Sequence, residues 1–300
     1  MEVSGILVGT DAGLRRLDGR SVPGPEGKIE ALAAGDDVWW AIERDGTLWR
    51  GSGDECAAVA RVDGDRPQCL VAAPDGVVVG TTRAGLHRWD GETLRRVVSF
   101  DEAPGRDSWY TPWGGPPDVR SAARDPKGRY FLNVHVGGVV RGDEDLTGWT
   151  DTMDIHHDVH QVVAHPDRAD AVFVAAAVGF GASFDGGETW EFTAAGLDAS
   201  YCRAVAVTGD TAFVSASRGP HGARAALYRK RIGDDEFRRC ADGLPDWFSE
   251  NLNTGCLVVS PESVVAGDRN GTVYGSTDLG DSWATIGSGL PPIHCLIATG

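Results

Sequence analysis

Short apolar runs bounded by turn residues recur along the whole chain, a pattern of many short strands and not of long helices. Residues 201–207, 211–216, 226–231 and 236–240 form the clearest set, four strand-like runs that predict one antiparallel unit. By the same four-run pattern, units begin near Lys28, Pro67, Asp118, Asp158, Tyr201 and Asn253. The ends supply a seventh. Residues 293–298 read as a first strand without followers, and 6–10 and 13–17 read as followers without a first strand. Pairing the termini closes a ring and removes its free edges. Seven units in 300 residues average about 43 each, the size of a four-stranded blade. The expected fold is all-β: a single domain over 1–300, a seven-bladed β-propeller of four-stranded antiparallel blades closed by the N- and C-terminal strands. The 41 Gly and 15 Pro agree with this turn-rich chain and count against a helical bundle.

Two segments set the register. Ser183-Phe184-Asp185-Gly186-Gly187-Glu188-Thr189-Trp190 and Ser276-Thr277-Asp278-Leu279-Gly280-Asp281-Ser282-Trp283 both read S-x-D-x-G-x-x-W, 93 positions apart, or two units. Gly196-Leu197 and Gly289-Leu290 follow at the same distance. In such a segment the carboxylate accepts backbone N–H bonds across a β-turn, and the Gly supplies positive φ. A degenerate copy, Gly142-Asp143-Glu144-Asp145 leading to Trp149, closes the unit that starts at Asp118. The motif resembles the Asp-box, or BNR, repeat of sialidase-like and WD40/YVTN-like propellers. The resemblance covers the chain and implies the fold, with Asp185 and Asp278 in structural turns on the face opposite the usual binding site. It implies no particular activity. The F/Y-R-I-P arginine motif of sialidases is missing and no Tyr–Glu nucleophile pair is identifiable, so sialidase activity is not expected.

Charge narrows the partners. With 28 Lys+Arg against 44 Asp+Glu the net charge is −16, which disfavours nucleic acid and anionic membranes. No apolar run is long enough to span a bilayer, and Glu2 stands where a leader would be basic, so a cytoplasmic location is expected. Only Lys28, Lys127 and Lys230 are lysines. Excess carboxylate with scarce lysine resembles proteins of salt-accumulating halophiles. A thermal midpoint that rises from about 0.1 M to several molar KCl is the expected result, and an unchanged midpoint sinks the idea. Six cysteines, at 56, 69, 202, 240, 256 and 295, form no C-x-x-C pair and read as small packing residues.

Candidate chemistry emerges when the first strands are aligned. One column reads Glu30, Gln68, Arg120, His160, Arg203, Gly255 and His294; the next, mostly small, reads Ala31, Cys69, Ser121, Gln161, Ala204, Cys256 and Cys295. Innermost strands line a propeller's channel, so the first column predicts a polar ring at its mouth. Three long inserts, 101–117, 218–225 and 241–252, map to that face, which marks it as the binding face. Trp109 and Trp113 in the first insert suit stacking on a sugar or planar ligand, or else packing against the blades. Trp247 and Phe248 in the third carry the same two readings.

Arg120 and Arg203 point to an anionic ligand, with Glu30, Gln68, His294, Trp109 and Trp113 as further substrate-binding candidates. His160, His135 and Asp158 are the acid/base candidates, because an imidazole titrates near neutrality and a carboxylate can orient it. The run Asp154-Ile155-His156-His157-Asp158-Val159-His160 suits a divalent metal at His156, His157 and His160, although no cofactor is firmly implied. The leading reading is a pocket for a small anionic or sugar-like molecule, with a glycosidase-like hydrolase or lyase as its catalytic form. The alternative is a non-catalytic protein-interaction scaffold, which requires an exposed apolar patch of Trp109, Trp113, Trp247 or Phe248. Oligomeric state is not legible.

Overall fold

A computed structural model describes residues 5–53 and 55–299. Residues 1–4, which carry part of the reading about a leader, lie outside them. Among the described residues every regular element is a strand or a short 3-10 turn, and no helix is long and apolar enough to cross a membrane.

Seven antiparallel sheets form a ring. Blades 1 to 6 are four-stranded and follow the chain, with first strands Ile29–Ala34, Pro67–Ala73, Val119–Arg124, Val159–Ala164, Tyr201–Thr208 and Leu257–Val259. Blade 7 pairs Ile293–Ala298 with Ile6–Thr10, and that strand with Gly13–Arg16; a bridge from Arg15 to Ser21 begins its fourth position. Each first strand touches the next around the ring, and Ile293–Ala298 touches the first strands of blades 6 and 1. The predicted closure by both termini is thus realised in the sheet hydrogen bonds.

Second strands are apolar on both faces because neighbouring blades sandwich them. Val172–Ala176 is buried throughout, and Phe173 packs with Phe180, Val205 and Val214 across blades 4 and 5. The small column after the ring residues fits the same crowding. Cys69, Cys256 and Cys295 are buried and unpaired, and burial pushes the Cys69 and Cys256 thiols up to about 12, which removes them as nucleophiles at neutral pH.

The turns joining third to fourth strands in blades 3, 4 and 6 share one hydrogen-bond scheme. Asp185 accepts from the Thr189 amide at 2.9 Å and hydroxyl at 2.6 Å, and Asp278 from the Ser282 amide at 3.0 Å and hydroxyl at 2.6 Å. Asp143 repeats this with Thr147 at 2.7 and 2.9 Å. Ser183 and Ser276 lock the first two by donating to the Asp and accepting from the amides of Gly187 and Gly280. Gly280 has φ +85, and a Cβ there would come within 2.8 Å of Phe213 in blade 5.

These bonds hold Asp185 down to about 2 and Asp278 lower still, led in each case by the hydroxyl donor. A depressed folded pKa stabilises above the unfolded value and is lost as pH falls through the folded one. Wild type should therefore exceed the Asp185→Asn, Asp278→Asn variant in urea midpoint at pH 7, and the gap should close between about pH 4 and pH 2. A gap independent of pH would show that packing and not the carboxylates stabilises these turns.

Candidate functional site

Five first strands carry a register shift at their predicted ring residue. In blade 1, Ile29 opposes Glu43 and Ala31 opposes Ile42, which leaves Glu30 unpaired; Gln68, Arg120, His160 and Arg203 are skipped in the same way. In blade 7, Ile293 opposes Thr10 and Cys295 opposes Gly9, so His294 makes the sixth bulge. A bulge re-aims one side chain without breaking the sheet. Here the repeated bulge turns six polar side chains toward one cavity of about 710 Å³ at the channel mouth. Blade 6 departs from the pattern: its strand begins at Leu257, and Gly255 lies in a left-handed turn (φ +79), so Thr254 lines the cavity there.

Residues two positions before the ring column complete the rim. These are Lys28, Arg66, Asp118, Asp158, Tyr201, Asn253 and Pro292, of which Lys28, Arg66 and Asn253 line the cavity. Period-two alternation along a strand was the available signal for them. From the inserts, Pro220, His221, Glu250 and Asn251 also line the wall.

The guanidiniums stand apart from the carboxylates. Arg203 donates to Asn253 Oδ1 at 3.0 and 3.2 Å and approaches the Tyr201 hydroxyl at 3.4 Å. Arg120 lies 5.7 Å from the Trp113 ring and makes no hydrogen bond among the described residues. Neither forms an ion pair among the described residues. Burial, then the charge of Arg203, pulls Arg120 below its ordinary pKa against Asp118 and Asp158; a guanidinium so placed remains charged.

Asp158 sits between two imidazoles. Its Oδ1 is 3.2 Å from His135 Nε2, and its Oδ2 is 3.7 Å from His160 Nε2. Burial raises the Asp158 pKa, but the two histidines more than offset this and hold it well below the carboxylate range. His160, only 1% exposed, places Nδ1 2.6 Å from the Cys202 carbonyl. A carbonyl only accepts, so Nδ1 carries the proton and the basic nitrogen is Nε2, beside Asp158. Burial pulls His160 below the ordinary histidine value, while Asp158 acts in the opposite direction. An ionised carboxylate thus faces both imidazoles, which favours a proton on the His160 Nε2 over one on Asp158.

Other candidates fall elsewhere. Trp109 is 7% exposed and packs against Phe100, Val119 and Tyr130, so it is a core residue and not a ligand platform. The first insert folds through two 3-10 turns and fills the seam between blades 2 and 3, because Phe100 and Trp109 bury more apolar surface there than at a wet rim. Trp113 is 68% exposed and overhangs His135, with ring centroids 4.9 Å apart. Trp247 is stacked between Arg224 and Arg239, and Phe248 is buried against Tyr274, so the four aromatics form no exposed patch. His294 lines the cavity but is bonded at 2.7 Å to Asp11.

The histidine run does not converge on a metal. His157 stacks on Phe192 at 4.1 Å with Nδ1 on the Asp154 carbonyl, His156 is exposed, and His160 is turned inward to Cys202. Among the described residues no three His, Cys, Asp or Glu side chains form a group that could hold an ion. The 3-10 turn Ile155–His157 causes the divergence by rotating successive side chains away from one another.

No protein-family model and no curated protein matches the chain. Among solved structures it is similar to the GH74 xyloglucanase from Xanthomonas campestris, at 14% identity and TM-score 0.64 over 93% of this chain and 46% of that one. It is also similar to the Pan2 WD40 domain of Neurospora crassa, at 10% identity and TM-score 0.60 over 88% and 79%, and to the RRP9 WD40 repeats, at 12% and 0.63 over 93% and 84%. The chain spans less than half the length of that xyloglucanase. At such identities the likeness is one of fold. The chain is a seven-bladed β-propeller.

Proposed function

We propose that this propeller, of Asp-box type, binds a small anion at the channel mouth through Arg120 and Arg203. One observation carries the reading: two guanidiniums from blades 3 and 5 lie at one cavity, and no carboxylate pairs with either among the described residues. In a chain of net charge −16, unpaired arginines at a concave site are a costly arrangement that an anion relieves. Trp113 supplies an aromatic edge over Arg120. Asp158, with His135 and His160, supplies a proton-handling group beside the arginines, the starting point for a hydrolase or lyase form of the site.

The scaffold alternative has less support, because Trp109, Trp247 and Phe248 are spent on internal packing. Thermal melts with sodium gluconate, glucose 6-phosphate and glucose at matched ionic strength test the reading. The anions should raise the midpoint and glucose should not; at about 100 times Kd, binding adds about 2.7 kcal/mol. A midpoint unmoved by either anion would overturn it.

A further inference from the structure

The charges around the mouth are arranged unevenly. On the side of blades 1, 6 and 7 the cations at the mouth are paired with carboxylates. Lys28 lies 3.5 Å from Asp11, Arg269 3.9 Å from Glu250, and Arg44 3.6 Å from Glu30. His294 also rests on Asp11. On the side of blades 2, 3 and 5, Arg66, Arg120 and Arg203 have no ion-pair partner among the described residues; Asp118 acts on Arg66 and Arg120, and Asp158 on Arg120, only at longer range. Free positive charge is thus confined to one side of the cavity.

The facing wall carries Lys28 and Arg269, both paired, and beside them groups that accept hydrogen bonds. Glu30 and Glu250 contribute carboxylates and Asn251 an amide, whereas Gln68 and Thr254 stand nearer the arginines, Gln68 reaching Asp118 and Thr254 donating to the His160 and Arg203 carbonyls. The Glu30 carboxylate is mostly buried, and its counter-ion Arg44 is more than half exposed, a pairing that water weakens. A ligand whose anionic group sits on Arg120 and Arg203 therefore presents its far end to the Glu30 carboxylate, whose Oε1 is buried without a hydrogen-bond partner among the described residues and so accepts a hydroxyl hydrogen and repels a second negative charge.

We infer that Glu30 is a specificity-determining residue: it makes the mouth select hydroxyl-bearing anions charged at one end over those charged at both ends. This rests on the anion reading above and adds orientation to it. The ligand's charge lies toward blades 3 to 5 and its hydroxyl groups toward Glu30. Like charges across a cavity of this size, at an effective dielectric near 20, correspond to discrimination on the order of tenfold or more.

Calorimetric titration of the full chain with three probes of similar length tests it: gluconate (one charge, several hydroxyls), glucarate (two charges) and hexanoate (one charge, no hydroxyl). Gluconate should bind on the order of tenfold more tightly than either of the others. In Glu30→Gln, glucarate should approach gluconate. In Arg44→Gln, which takes the exposed counter-ion from Glu30, the gap should widen, so the inference stays testable if the first variant fails to fold. An unchanged gluconate-to-glucarate ratio in a folded Glu30→Gln protein overturns the role of Glu30. Hexanoate binding as tightly as gluconate overturns the hydroxyl preference and leaves the anion site intact. If none of the three binds, the anion site itself falls, and this inference with it.

Discussion

A protein carrying Arg120→Ala together with Arg203→Ala is expected to melt cooperatively and to lose all stabilisation by gluconate. Charge-assisted hydrogen bonds to a buried anion contribute about 1.5–3 kcal/mol each, so removing both arginines should weaken binding by about 3–6 kcal/mol. That is roughly a hundredfold to ten-thousandfold in Kd, beyond the range of an ordinary titration. The fold should survive, because Arg120 makes no hydrogen bond among the described residues and Arg203 is tied only to Asn253 and Tyr201. The unliganded midpoint should stay level or rise, since two like charges leave a partly buried site. Single Arg→Lys changes should retain part of the effect, as charge without the planar fork. Equal gluconate stabilisation in wild type and double variant would refute the assignment.

The second large effect concerns ring closure. A chain ending at residue 292 lacks the first strand of blade 7, which carries the buried Ile293, Leu296 and Ile297. At about 1.5–3 kcal/mol per buried side chain, the loss is about 5–9 kcal/mol, comparable with the stability of a whole domain. It also strips the partner from Ile6–Thr10 and exposes the channel sides of blades 6 and 1. Such free edges pair with other chains. The expected outcome is loss of the cooperative melt by circular dichroism and elution as soluble aggregate. A monomer melting within a few degrees of wild type would show that six blades close without the seventh.

Much of this architecture was legible because the repeat is written in residues whose job is local. The turn at Asp185 needs only its own Ser183, Gly187 and Thr189, and the same bonds recur at Asp278. The ring column was legible for a related reason: one backbone bulge at one place in each unit leaves residues in register even when their types differ. What escaped was anything decided between units. Trp109 and Trp113 are four residues apart in one polar, turn-rich insert, yet one fills the seam with Phe100 and the other hangs over His135. His156, His157 and His160 looked like a set of ligands until a single 3-10 turn sent them in different directions.

By itself, then, the sequence pointed to seven blades, to the closure by both termini, and, in every blade but the sixth, to the first-strand residue that lines the cavity, because strand length, turn chemistry and alternation are local properties of the chain. The tertiary structure alone decided which of those residues are free. Arg120 and Arg203 lie in separate blades, 83 positions apart, and His294 is bound to an aspartate 283 positions away. Whether a charge finds a partner depends on distances of a few ångströms across the closed ring, and no spacing along the chain encodes those.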